Sequence, residues 1–225
     1  ASTIVSVKLG QKDYTTARKA LGNVVALNVI IGVVFMTISL LFLNKILLFF
    51  GASENTLQYA REYMEIILYG NVVTHMYLGL NAVMRSSGHP QKAMAMTIVT
   101  VILNAILDPI FIFVLDMGIA GAAWATVICQ FISLIIVMAH FSNHKRAVHF
   151  KEGILRLNFK VAKESLTIGA GPFLMNAAAC LVTLFINQQL RTYSGDLGIG
   201  AYGICNRIIF MFIMICMGLN QGMQP

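Results

Sequence analysis

Asn104, Asp108 and Pro109 fall in one apolar run, LNAILDPIFIF (residues 103–113), and no Lys or Arg lies between Lys92 and Lys145. A carboxylate at membrane depth costs roughly 3 kcal/mol to insert, and such residues mark ion or proton pathways by default. Asn104 stands four residues before Asp108, which places both on one helix face. Pro109 has no backbone N–H to donate, so it frees the carbonyl of Ala105 and bends the helix. An amide, a carboxylate and a freed carbonyl within about 6 Å of helical rise make the oxygen-rich half of a small-cation or proton site. The same residues also serve as interhelical glue in membrane proteins, where prolines are common for packing alone.

A second polar pair lies across a tight turn. Asp116-Met-Gly-Ile-Ala-Gly121 joins two antiparallel segments, and residues equidistant from Met117 should lie at similar depth. Asp108 and Thr126 are each nine residues from Met117, about 13 Å along a helix. Asn104 and Gln130 are each thirteen away, and Thr126 and Gln130 share a face by their own spacing of four. Two matched pairs favour a site over isolated glue. In that site Asp108 is the cation ligand or proton carrier, Asn104 and Thr126 are neutral oxygen ligands, Gln130 stands behind them and Pro109 supplies the bend. Na⁺ at Asp108, Asn104 and Thr126 and H⁺ on Asp108 are equally compatible with one carboxylate among neutral oxygens.

The elements that must position these residues follow from composition. Of 225 residues, 58% are hydrophobic and 11% charged, with a mean hydropathy of +0.77. Soluble domains carry about 25% charged residues, so the chain reads as an all-α polytopic membrane protein. Apolar stretches predict six complete membrane helices: 21–50, 56–85, 91–115, 122–141, 165–193 and 199–219, preceded by the end of another at 1–9. Residues 10–19 read as a short polar segment. Ser53 is a helix cap and Pro90 a first helical position. Residues 142–163 read as a basic amphipathic linker on the membrane surface, with Phe150, Ile154, Leu155, Leu157 and Phe159 among Lys151, Arg156 and Lys160.

The net charge of +7 reports topology and headgroup contact instead of nucleic acid, because the charges lie between the apolar runs. One side collects Lys8, Lys12, Arg18, Lys19, Arg85, Lys92, Lys145, Arg146 and the linker cations, and is cytoplasmic by the positive-inside rule. The other holds Lys45, Arg61 and Arg191. Cys129, Cys180, Cys205 and Cys216 all sit in apolar runs without metal-ligand spacing and read as reduced packing residues. No catalytic triad, metal motif or phosphate loop is present, so an enzyme and a bound cofactor are not expected. The opening ASTIVSVKLG and closing GLNQGMQP read as cut from a longer protein.

GASENTLQYAREYMEIILYG, NAVMRSSGHPQKAM, LNAILDPIFIF, GIAGAAWATVICQ and GLNQGMQP together resemble the multidrug and toxic compound extrusion (MATE) family. The resemblance implies part of a twelve-helix, two-lobe, inverted-V transporter. Residues 1–141 would be the N-lobe portion (the end of helix 2, then helices 3 to 6), 142–163 the cytoplasmic inter-lobe linker, and 164–225 the C-lobe portion (helices 7 and 8). It assigns Asn104 and Asp108 to the family's NxxxDP pattern and Thr126 to its GAAxAT pattern. A further carboxylate of that site comes from helix 1, which this chain does not contain. For a helix 4 asparagine of the pocket, Asn71 and Asn81 are both candidates. The NorM-like branch carries an acidic residue on helix 7; this chain has none between Glu164 and Asp196, so the pattern is nearer the DinF-like branch.

The implied activity is Na⁺- or H⁺-driven antiport that exports amphiphilic, often cationic, compounds by alternating access. The implied setting is a monomeric, multi-pass protein of a bacterial inner or plasma membrane. The rivals are a lipid-linked saccharide flippase of the same superfamily, against which the scarcity of basic residues at cavity depth counts, and a non-transporting receptor or scaffold. His75, mid-helix, is either a proton relay or a packing residue, and packing is the commoner role. Asn176 falls near the midplane and could face a central cavity. Met211, Met214, Met217 and Met223 would suit a reshaping pocket, although lipid-facing filler explains them without function. Arg207 snorkels or pairs with a neighbouring helix.

Overall fold

The computed structural model describes residues 2–143, 148–150 and 159–222, and every regular element among them is helical. Five helices are long and apolar enough to cross a membrane, or six if one bent pair counts as a single span. The chain is a multi-pass membrane protein.

Helix α1 (Ser2–Gly10) buries Ile4 and Val5 against the bundle. Only a brief turn follows, where a longer polar stretch was expected, because Asp13 caps α2 (Tyr14–Leu41) by accepting the Thr16 N–H at 3.0 Å. Hydrogen bonds from the Thr16 hydroxyl and then its backbone N–H hold the Asp13 carboxyl below its usual range. The expected span to Phe50 stops at Leu41. Phe42 interrupts it, and a short α3 (Leu43–Phe49) follows.

Ser53 and Thr56 form a reciprocal capping box for α4 (Glu54–Tyr69), with the Ser53 N–H donating to Thr56 Oγ1 at 3.0 Å. The expected single helix over 56–85 is instead two. It bends by 54° between α4 and α5 (Asn71–Ser86). The cause is tertiary. A Cβ on Gly70 would lie 2.4 Å from Val127 Cγ2, so only glycine lets α7 seat in the bend. The Gly70 carbonyl also accepts both the Thr74 N–H (3.0 Å) and the Thr74 hydroxyl (3.1 Å), a pattern that bends helices.

Pro90 opens α6 (Pro90–Pro109), which passes after Pro109 into a π turn (Ile110–Val114) where the Leu115 N–H reaches back to the Ile110 carbonyl at 2.9 Å. The proline break therefore takes the form of a register shift. A turn with positive φ at Asp116 and Gly118 leads into α7 (Gly118–Ser142). A Cβ on Gly121 would meet the Phe111 carbonyl at 2.6 Å, which pins the start of α7 to the π turn. The core lies where α1, α2, α5 and α7 meet: Leu21, Val24, Leu80, Val83, Met84 and Val137 are almost wholly buried.

Of the linker, Lys145, Arg146, Lys151, Ile154, Leu155, Arg156 and Leu157 lie outside the described residues, as does Met223. Phe150 folds back on the bundle: its N–H donates to the Phe141 carbonyl at 2.9 Å, and the two rings stand 5.8 Å apart. Helix α8 (Phe159–Gly222) breaks at Gly195 (φ 61°) into two candidate spans, Phe159–Gly195 and Leu197–Leu219, whose apolar side chains are largely exposed.

Candidate functional site

Asn104 and Asp108 lie one turn apart on α6, and the Asn104 amide donates to Asp108 Oδ1 at 3.0 Å. The same amide points at Thr126 Oγ1 on α7, 3.4 Å away, while the Thr126 hydroxyl donates to the Ala122 carbonyl at 3.0 Å. All three side chains are half-buried, and the π turn begins directly after Pro109. The structure thus brings together the three residues expected at one site.

The donor set decides what the cluster can hold. A carboxylate offers about four lone-pair positions, and Asn104 fills one on Asp108. Asn104 Oδ1 is not used by the two bonds of its amide nitrogen. With Thr126 Oγ1 this makes three hard oxygens, which suit Na⁺ or, through the carboxylate alone, a proton. No cluster of His, Cys, Asp and Glu fit for a transition metal occurs among the described residues.

Gln130 does not reach Asn104. It pairs with the Thr74 hydroxyl of α5, directly inside the Gly70 bend. The Thr74 hydroxyl has a single proton, so it donates to the Gly70 carbonyl and accepts from the Gln130 amide N–H. Asn71 donates to the Gly32 carbonyl on α2 at 3.2 Å, and buried Asn81 donates to the Ala93 carbonyl on α6 at 3.1 Å. Both amides are spent on helix–helix bonds. Asn176 donates to the Pro172 carbonyl of its own helix at 2.9 Å, and its side chain is exposed, as are His75 and Arg207.

Sequence reasoning missed a second polar cluster. Thr100 lies 2.6 Å from Ser133 Oγ and 3.0 Å from the Tyr77 hydroxyl, and itself donates to the Met96 carbonyl at 2.7 Å. Its signal was present: Asp108, Asn104 and Thr100 recur every four residues, and Thr126, Gln130 and Ser133 continue the facing stripe. Cys129, 1% exposed, lies beside Asn104 and Asp108, a placement that an apolar run gives no means to foresee.

The comparisons with known proteins bear on this bundle. A family model described as MatE matches residues 1–110. The multidrug export protein MepA of Staphylococcus haemolyticus is 30% identical over 223 residues, which is 99% of this chain and 49% of MepA. The chain is similar to the MATE family over residues 1–110. Two solved structures share the fold. The inward-facing conformation of a multidrug resistance MATE family transporter of the MOP superfamily superposes with a TM-score of 0.86 at 23% identity, over 95% of this chain and 49% of that one. A structure described as protein A gives 0.91 at 31% identity, over 100% and 50%. The chain spans about half the length of the curated relatives it matches.

Proposed function

We propose that this chain is the part of a multidrug exporter that carries the coupling-cation site, in an antiporter where Na⁺ or H⁺ flowing inward drives amphiphilic, often cationic, compounds outward. The single observation that carries the reading is the Asn104–Asp108–Thr126 cluster, a carboxylate inside an apolar span whose partner on the same helix, Asn104, also reaches Thr126 on the adjacent helix. The names of the relatives, export protein and multidrug transporter, support the exporter half of the reading. Asp108 binds the cation in one state of the transporter and releases it in the other. A cation can drive the cycle only through that difference in affinity. Asn104 orients the carboxylate and, with Thr126, offers further oxygens; the break after Pro109 lets the outer end of α6 move. Residues 1–141 and 164–225 would belong to two lobes joined by 142–163, in the DinF-like branch, working as a monomer in a bacterial plasma membrane.

The test is ethidium efflux from vesicles holding the full-length protein, with Na⁺ and pH gradients imposed separately and Asp108→Asn beside wild type. Efflux that follows one gradient and is lost in an inserted variant identifies the ion and the coupling residue. Unchanged gradient-driven efflux in the variant would leave the cluster as interhelical glue.

A further inference from the structure

Two of the three cations on the cation-poor pole converge in one cleft. It encloses about 390 Å³ at the break between α2 and α3, and α4 forms its other wall. Lys45 comes from α3 and Arg61 from α4; Asn44 and Tyr69 add polar hydrogens, and Leu40 and Leu41 form an apolar floor. Cations on this side of a membrane protein run against the positive-inside bias, so their convergence calls for a cause.

The two cations are only partly offset. Arg61 Nε stands 3.9 Å from Glu65 Oε2, with the side chains 54% and 40% exposed, a geometry worth little in water. That contact leaves most of the five guanidinium hydrogens unused. Lys45 Nζ lies 5.9 Å from the Phe42 ring, a contact that uses none of its three N–H donors. Counting Glu65, the cleft carries one net positive charge. The third cation of this pole, Arg191, lines a smaller cleft of about 90 Å³ with Gln188 and the far end of α3. Leu41, 74% exposed, continues the floor down the apolar flank of α2. A cationic rim above an apolar flank matches an amphiphile with an anionic head.

We infer that this cleft binds an anionic phospholipid of the adjacent leaflet, its phosphate held by Lys45 and Arg61 and its acyl chains laid along Leu40 and Leu41. The lipid would pin the short helix α3 to α4 across the break at Phe42. Binding would be lost stepwise with charge, about fivefold for each cation removed near a membrane surface.

The experiment is native mass spectrometry of the full-length protein released from vesicles of equal phosphatidylglycerol and phosphatidylcholine, comparing wild type, Lys45→Gln/Arg61→Gln, Lys45→Arg/Arg61→Lys and, as a control at the basic pole, Lys8→Gln/Lys12→Gln. The expected result is retained phosphatidylglycerol in wild type, in the charge-keeping variant and in the control, with a drop of about twenty-five-fold in the double glutamine variant. Equal retention in wild type and the double glutamine variant would overturn the inference. Displacement of the lipid by millimolar inorganic phosphate would overturn it as well, because the site would then be one for a free anion.

Discussion

The Asp108 cluster and the Thr100 cluster sit two turns apart on the same pair of helices, yet they differ in kind. Around Thr100, three hydroxyls from α5, α6 and α7 close on one another at 2.6 and 3.0 Å, and Ser133 is wholly buried. Such a set has spent its three protons within the bundle and carries no charge to attract a cation. Around Asp108, a half-buried carboxylate accepts one bond and keeps further lone pairs, beside a proline and a π turn that loosen the helix. Neutral, with every proton spent, describes glue; charged, with lone pairs to spare and placed at a helix break, describes a site. The Thr74–Gln130 pair lies between them and ties the second cluster's helices to the Gly70 bend.

Four substitutions sharpen or break this contrast. The largest effect belongs to Asp108→Asn, which keeps a polar side chain of the same shape but cannot titrate. Coupled efflux should fall on the order of tenfold or more, the range of a lost coupling free energy, with thermal stability little changed. Gly70→Ala comes next. Its Cβ would strike the stiff Val127 side chain, so a cost of about 1–3 kcal/mol in stability is expected, read as a lower unfolding temperature in detergent. The pair Gly70→Ala/Val127→Ala should recover most of it; failure to recover would mean that the bend, and not the close approach, requires glycine.

Thr100→Val removes the centre of the glue cluster and should cost about 0.6 kcal/mol per bond lost, with gradient-driven efflux retained. Loss of coupling in Thr100→Val, equal to that in Asp108→Asn, would erase the distinction between the two clusters. The smallest effect concerns the cap of α2. The Asp13 carboxyl is lowered from 3.8 in the folded protein, so its contribution is complete above that value and fades as pH falls through the lower folded one. Hydrogen exchange of the first turn of α2 should rise at such acid pH in wild type, and be high at neutral pH already in Asp13→Ala.

The sequence made the spans and the Asn104–Asp108–Thr126 cluster legible because both are local arithmetic: apolar length, spacing by four and distance from a turn. It was silent where the cause lies across the fold. Gly70 sits in ILYGNVV, an unremarkable stretch, and its bend depends on Val127 far along the chain. Equal distance from Met117 pairs Asn104 with Gln130, but Asn104 reaches Thr126 instead and Gln130 turns to Thr74 on α5, because distance along a helix supplies neither its stagger nor its rotation. Phe42 breaks α2 inside an apolar run without any Gly or Pro to announce it.

The most direct measurement of the central claim is efflux from vesicles of Asp108→Asn and Thr100→Val, each beside wild type at matched insertion, with Na⁺ and pH gradients imposed in turn. Thr100→Val is expected to follow the gradient that drives wild type, and Asp108→Asn to follow neither. Gradient-driven efflux that survives in Asp108→Asn would contradict the claim, and would make the carboxylate one more strut between α6 and α7.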